Sequence, residues 1–166
     1  GEDGTTMILG TTKNGPDRSE LRHNRGWTFT GEEKRYSARV RVDTPVAFPG
    51  GKNKYKNHIF QIYGAGKNKR VDKGPFVLVN TRPSGDLFYY MRGTSRGKLC
   101  PIPEGFFDFE VTVKDSIIKI FINGELKAEG DFTKHGDMKA FFKTGAYQKH
   151  VQPNKVEFES LTITTP

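Results

Sequence analysis

"FFDFEVTVKDSIIKIFINGELKAEG", residues 106–130, alternates apolar and polar side chains, with breaks at Asp115-Ser116 and Asn123-Gly124. Alternation sends successive side chains to opposite faces of an extended chain. Asn-Gly between two such runs is the strongest short hairpin signal. The stretch therefore reads as three strands joined by tight turns. The same pattern extends in both directions. "RYSARVRVD" (35–43) turns Tyr36, Ala38, Val40 and Val42 inward, and "NHIFQIYG" (57–64), "PFVLVNTR" (75–82) and "DLFYYMRG" (86–93) follow. "KVEFESLTITT" (155–165) contributes Val156, Phe158, Leu161 and Ile163, with a change of parity near Ser160 that marks a bulge. No stretch carries a sustained helical period with caps. Evenly spaced strands bounded by Gly, Pro, Asn and Asp predict an all-β fold, a two-sheet antiparallel β-sandwich of jelly-roll type.

At 166 residues, with no internal repeat or linker, the chain reads as one domain over 1–166, large enough to bury a core. Its apolar fraction is 34%, but 12% aromatic residues and 13 Phe are too many for a disordered chain. Lys and Arg outnumber Asp and Glu 27 to 19, and the net charge of +8 favours an anionic partner. Cys100 is the only cysteine, which excludes an intrachain disulfide and a cysteine-cluster metal site. No two histidines have metal-ligand spacing and no dense acidic calcium loop is present, so neither a metal nor a cofactor is expected. No apolar run is long enough to span a bilayer. "GEDGTTMILG" has no basic or apolar leader segment, so any signal peptide is expected to have been removed or never to have existed.

Three strands carry polar groups on a face. In "PDRSELRHN" (16–24), Arg18, Glu20 and Arg22 share one side, and Glu20 can hold an arginine fork while leaving donors for an anion. In "NHIFQIYGAGKNKR" (57–70), alternation groups Ile59, Gln61 and Tyr63 against His58, Phe60 and Ile62. Gln61 is a neutral donor able to bind a carboxylate. Basic loops bracket that strand, with Lys52, Lys54 and Lys56 before it and Lys67, Lys69, Arg70 and Lys73 after it. In "FFKTGAYQKH" (141–150), Phe141, Lys143, Gly145, Tyr147 and Lys149 face one way and Phe142, Thr144 and Ala146 the other. Neighbouring cations stabilise a phenolate, which suits Tyr147 to base work. Taken singly, each motif is equally a solvated strand face with ion pairs of ~0.2–1 kcal/mol.

In this order, the three motifs resemble the alginate-lyase-type polysaccharide lyases of family 7. That family has an R-S/T-E-L/V-R strand, a Q-I/V-H strand and a Y-F-K-A-G-x-Y-x-Q strand. The chain reads R-S-E-L-R at 18–22, Q-I-Y at 61–63 and F-F-K-T-G-A-Y-Q-K at 141–149, and its late strands are similar too. The glucuronan lyases of family 20 share related elements and are a close alternative. The resemblance implies a jelly roll whose concave sheet grips an anionic polysaccharide and cuts it by β-elimination at a uronate. It implies that Arg18 and Gln61 neutralise the carboxylate and that Tyr147 is catalytic. Lys143 and Arg22 then bind substrate, with Glu20 orienting the arginines. Tyr63 stands where the family has His, which argues for syn elimination by Tyr147 on mannuronate or glucuronate. The alternatives are that Tyr63 is instead the second acid/base group, or that the site is inactive. A bulge that turned His58 inward would substitute for the missing His. Lys149 replaces the final Gln and adds positive charge.

The implied substrate class suggests a secreted or periplasmic monomer. A non-catalytic module binding acidic polysaccharide, with Tyr89, Tyr90 and Trp27 for ring stacking, is the principal alternative. Nucleic-acid binding has no RNP-like or helix-turn-helix pattern behind it, and a membrane partner is not expected. Hydrolysis would need two facing carboxylates, and Glu20 is the only one in the three motifs.

Overall fold

The computed structural model describes residues 7–10, 17–23, 26–44, 56–148 and 155–166. Its strands begin with β1 (Met7–Gly10), β2 (Asp17–Arg22), β3 (Trp27–Thr28), β4 (Lys34–Val42), β5 (Asn57–Ala65), β6 (Lys73–Thr81) and β7 (Asp86–Met91). They continue with β8 (Ser95–Pro101), β9 (Phe107–Lys114), β10 (Ile117–Ile122), β11 (Glu125–Asp131), β12 (Lys139–Gln148) and β13 (Lys155–Thr164). Thr133–His135 forms a single 3-10 turn.

Both turns of the opening stretch take the hairpin form expected of them. Asp115 and Ser116 have φ of 48° and 65°, and Asn123 and Gly124 have 50° and 77°. Positive φ at both central residues matches the right-handed twist of the flanking strands. The hairpins belong to a sheet ordered β1-β13-β4-β9-β10-β11. The second sheet is ordered β2-β12-β5-β6-β7-β8, with β3 beside β12. All the pairings are antiparallel. This is the β-sandwich of jelly-roll type that the alternation predicts.

The core lies between the sheets and follows from period two. Tyr36, Ala38, Val40 and Val42 of β4 and Phe107, Phe109, Val111 and Val113 of β9 are buried on one side. Phe60 and Ile62 of β5, Val77 and Val79 of β6 and Phe142 of β12 meet them from the other. Fully burying such side chains contributes roughly 1.5–3 kcal/mol each. The parity change near Ser160 is a register shift between Phe158 and Ser160.

One polar link crosses this core. Thr144 Oγ1 donates to the Ile59 carbonyl at 2.8 Å, which spends its only hydrogen. The Tyr36 hydroxyl, 2.7 Å from the same oxygen, must therefore be the donor to it. Burial pushes the Tyr36 phenol above its ordinary pKa, so it remains a donor. The chain Tyr36–Thr144–Ile59 ties the first sheet to two strands of the second.

The link makes an asymmetric prediction, checked by equilibrium urea unfolding. Tyr36→Phe removes one buried hydrogen bond and is expected to cost about 1 kcal/mol, whereas Thr144→Val orphans both the Ile59 carbonyl and the Tyr36 hydroxyl and should cost about 2 kcal/mol or more. A larger loss in Tyr36→Phe would contradict the donor order.

Candidate active site

Because β2, β12 and β5 are adjacent, the three polar motifs meet on the outer face of the second sheet. Register aligns them in two rows across the strands. Arg22, Lys143 and Gln61 are direct partners in one row, and Arg18, Tyr147 and His58 in another, with Glu20 and Gly145 paired between them. Arg18, His58, Gln61, Tyr63, Lys143 and Tyr147 line a cavity of about 200 Å³, with Pro75 and Leu78 as an apolar wall. Larger hollows of about 460 and 320 Å³ lie on the outer face of the other sheet. There Arg35 and Arg39 are already paired with Glu33, Glu110, Asp108 and Glu159, which leaves little to recognise a ligand.

Glu20 lies under the cavity, its side chain only 4% exposed. Its Oε2 accepts a hydrogen bond from Gln61 Nε2 at 2.7 Å. Its Oε1 lies 3.6 Å from Arg18 Nη1 and 3.4 Å from Lys143 Nζ. An ionised carboxylate can only accept, so Gln61 must turn its nitrogen toward Glu20. One amide hydrogen is spent there, and the second remains for a ligand. Two cations and an amide donor offset the desolvation of one carboxylate.

The aromatic rings hold the guanidiniums in place. Arg18 Cζ lies 4.2 Å from the Tyr147 ring centroid and Arg22 Cζ lies 3.9 Å from that of Phe141. Stacking fixes each guanidinium plane. Phe141 and Tyr63 pack at 5.6 Å between centroids, with Lys143 Nζ 5.0 Å from the Tyr63 ring. Arg22 is exposed and stands outside the cavity, two same-face positions along β2 from Arg18.

Two irregularities place the histidine. Thr144 pairs with Phe60 and Tyr147 with His58, so Gly145 and Ala146 stand opposite Ile59 alone. On the other edge of β5, His58 pairs with Asn80 and Phe60 with Val79, so Ile59 is the extra residue there. Simple alternation expects Ile59 beside Gln61 and His58 on the opposite face. The bulge reverses both expectations: Ile59 joins Phe60 in the core, and His58 turns into the cavity. The His58 ring then lies 5.6 Å from that of Tyr147, inclined by 34°.

Gly145 permits the close approach of β2. It has a φ of 140°, and a Cβ there would fall 2.3 Å from the Ser19 carbonyl oxygen and 2.9 Å from Glu20 Cα. Of the candidate stacking rings, only Tyr90 faces outward. Trp27 is buried in the core, and Tyr89 packs against the core with its hydroxyl 3.3 Å from Ser95 Oγ. Lys149, His150, Lys52 and Lys54 lie outside the described residues. The apolar wall of Pro75 and Leu78 has no sequence signature, whereas Phe141 shares the parity of Lys143 and was readable. Among the described residues, no group of three or more His, Cys, Asp and Glu side chains could hold a metal ion. The assembled groups can neutralise a carboxylate and exchange a proton beside it, through a phenol and an imidazole.

A family model described as alginate lyase matches residues 5–165. No curated protein sequence matches the chain. Among solved structures, alginate lyase AlyC3 in complex with dimannuronate superposes with a TM-score of 0.84 at 16% identity, covering 98% of this chain and 75% of that one. The marine PL7 alginate lyase AlyA1 from Zobellia galactanivorans gives 0.71 at 17%, covering 92% and 70%. Alginate lyase A1-II', a member of polysaccharide lyase family 7, gives 0.68 at 21%, covering 96% and 78%.

The close approach at Gly145 carries a prediction. Gly145→Ala must push β2 away from β12, and strain at such positions costs about 1–3 kcal/mol. A lower thermal midpoint is expected, together with weaker retention on an acidic polysaccharide column, because Arg18, Glu20 and Arg22 all move. Unchanged stability and retention would refute the close-contact account.

Proposed function

We infer the reaction from one premise and one geometry: the chain belongs to the alginate lyase family, and a carboxylate-binding cluster on its second sheet adjoins a phenol. It is a polysaccharide lyase, and we propose that it acts on a mannuronate-type uronate polymer by syn β-elimination. The observation that carries the reading is the convergence of Arg18, Gln61, Lys143, His58 and Tyr147 on one cavity over the buried Glu20.

The chemistry assigns a task to each group. The C5 proton of a uronate is weakly acidic until its carboxylate is neutralised. Arg18, and Gln61 with its second amide hydrogen, bind that carboxylate and stabilise the charge that builds on it as the proton leaves. Tyr147, stacked against the Arg18 guanidinium, takes the C5 proton. The C4–C5 double bond forms, the C4–O4 bond breaks, and the departing O4 takes a proton. In mannuronate and glucuronate the C5 proton and O4 lie on the same face of the ring, so Tyr147 can return the proton it has just taken. Lys143 supplies positive charge between Glu20 and the sugar.

Tyr63 stands at the motif position of the missing histidine, and His58 brings an imidazole into the cavity from another position on the same strand. Packed against the Tyr147 ring, His58 is suited to set the orientation of that phenol. Tyr63, held between Phe141 and Lys143, forms a wall of the sugar site. A polymer substrate places the working enzyme outside the cytoplasm, in a secreted or periplasmic setting.

Ultraviolet absorbance of the conjugated unsaturated uronate tests the reading on polymannuronate, polyguluronate and glucuronan in parallel. Absorbance is expected to rise on polymannuronate or glucuronan and not on polyguluronate. Tyr147→Phe should lower the rate by about 10²-fold or more, the usual scale of a lost acid/base group, while retaining polymer binding. Binding of the polymers with no rise on any would mean a binding module. A rise confined to polyguluronate would overturn syn elimination.

A further inference from the structure

We propose that the second sheet carries another anion-binding station, formed by Arg82 just past the end of β6, Phe88 and Tyr90 of β7 and Arg96 of β8, which takes a carboxylated sugar farther along the polymer bound in the reaction cavity. The identity of that polymer rests on the function proposed above.

The rows that build the cavity do not stop at β5. Gln61 pairs with Leu78, Leu78 with Tyr90, and Tyr90 with Arg96. Beside it, His58 pairs with Asn80, Asn80 with Phe88, and Phe88 with Lys98. Direct partners share a sheet face, so the outer surface runs unbroken from the cavity to Arg96. β5 and β8 are three strand spacings apart, roughly 14 Å, which places the station beyond the sugar undergoing elimination.

The station repeats the design of the cavity. Arg82 Cζ lies 3.7 Å from the Phe88 ring centroid, as Arg18 lies over Tyr147. Its Nε is 3.4 Å from Asn80 Oδ1, which turns the guanidinium across the face. Neither Arg82 nor Arg96 has a carboxylate within ion-pair distance among the described residues. By contrast, Arg35, Arg39 and Arg41 of β4, on the opposite sheet, are each paired with glutamate or aspartate. Partial burial and the neighbouring Arg96 charge hold the Arg82 pKa below its usual value. Two uncompensated guanidiniums beside stacking rings, on a half-exposed surface, form a site for a carboxylate on a flat sugar. Lys98 is already engaged by Asp86 at 2.8 Å and stands at the margin.

Affinity electrophoresis in gels containing polymannuronate tests the station, with Tyr147→Phe as background so that the polymer survives. Adding Arg82→Gln and Arg96→Gln is expected to weaken polymer binding about tenfold or more, the scale of losing charge-assisted contacts. Titration with dimannuronate, too short to reach from the cavity, should change less than twofold. Equal weakening for polymer and dimer would mean that the arginines act through the fold or the cavity. No weakening for either would mean that the face is unused. Either result overturns the proposal, as does failure of the background protein to bind the polymer. A protein that never raises absorbance but shows this length-dependent loss would fail as a lyase and keep the station.

Discussion

A carboxylate buried in the middle of a strand is costly, and Glu20 shows what this sheet does to keep one. Its two oxygens are met by an amide donor from β5, an ammonium group from β12 and a guanidinium from its own strand. The consequences run both ways. The cations and the amide stabilise Glu20, and Glu20 fixes where each of them points. Gln61 has no freedom to flip, and Lys143 is held at 12% exposure rather than extended into solvent. The donors around Glu20 are therefore held in place by the fold itself, the kind of preorganisation that lowers reorganisation in the reaction proposed. Gly145 makes this possible, because any larger residue would hold β2 and its glutamate away from β12.

The second constraint is a change of parity. A strand delivers alternate residues to one face, so Gln61 and His58 cannot both reach the cavity from a regular β5. The bulge at Ile59 resolves this by sending Ile59 and Phe60 into the core together. Thr144 grips the Ile59 carbonyl, and Tyr36 grips Thr144 from the opposite sheet. The packed core and the polar face are thus coupled at one residue. A bulge beside a functional cavity is a common means of re-aiming a side chain.

Much of this was legible in the sequence. Period-two runs gave β4–β7, β9–β11 and β13 their identities, and the turn residues gave the hairpins their form. The shared faces of Arg18, Glu20 and Arg22, and of Phe141, Lys143 and Tyr147, also followed from alternation. Their assembly did not, since β2, β12 and β5 are remote in sequence and only the motif resemblance joined them. The Ile59 bulge was unreadable because no residue type marks it, so the face of His58 was misassigned by alternation. Strand β3 is two residues long, and "SRGKLCP" of β8 has too few apolar positions to show a period. The expectation that Trp27 and Tyr89 serve as stacking platforms failed for a physical reason. Both rings are worth more to the core than to the surface.

Charge is also sorted between the sheets. The arginines of β4 are tied to carboxylates on the outer face of the first sheet, whereas Arg82 and Arg96 on the second have none among the described residues. Glu20 is the buried carboxylate beneath the cavity on that face, and the most direct test is to neutralise it without changing its shape. Steady-state turnover of Glu20→Gln on polymannuronate should fall on the order of 10²-fold, the scale of small misplacements of reacting groups, with a folded near-ultraviolet circular dichroism spectrum retained. Turnover at the unmodified level would contradict the claim that one buried carboxylate organises the site.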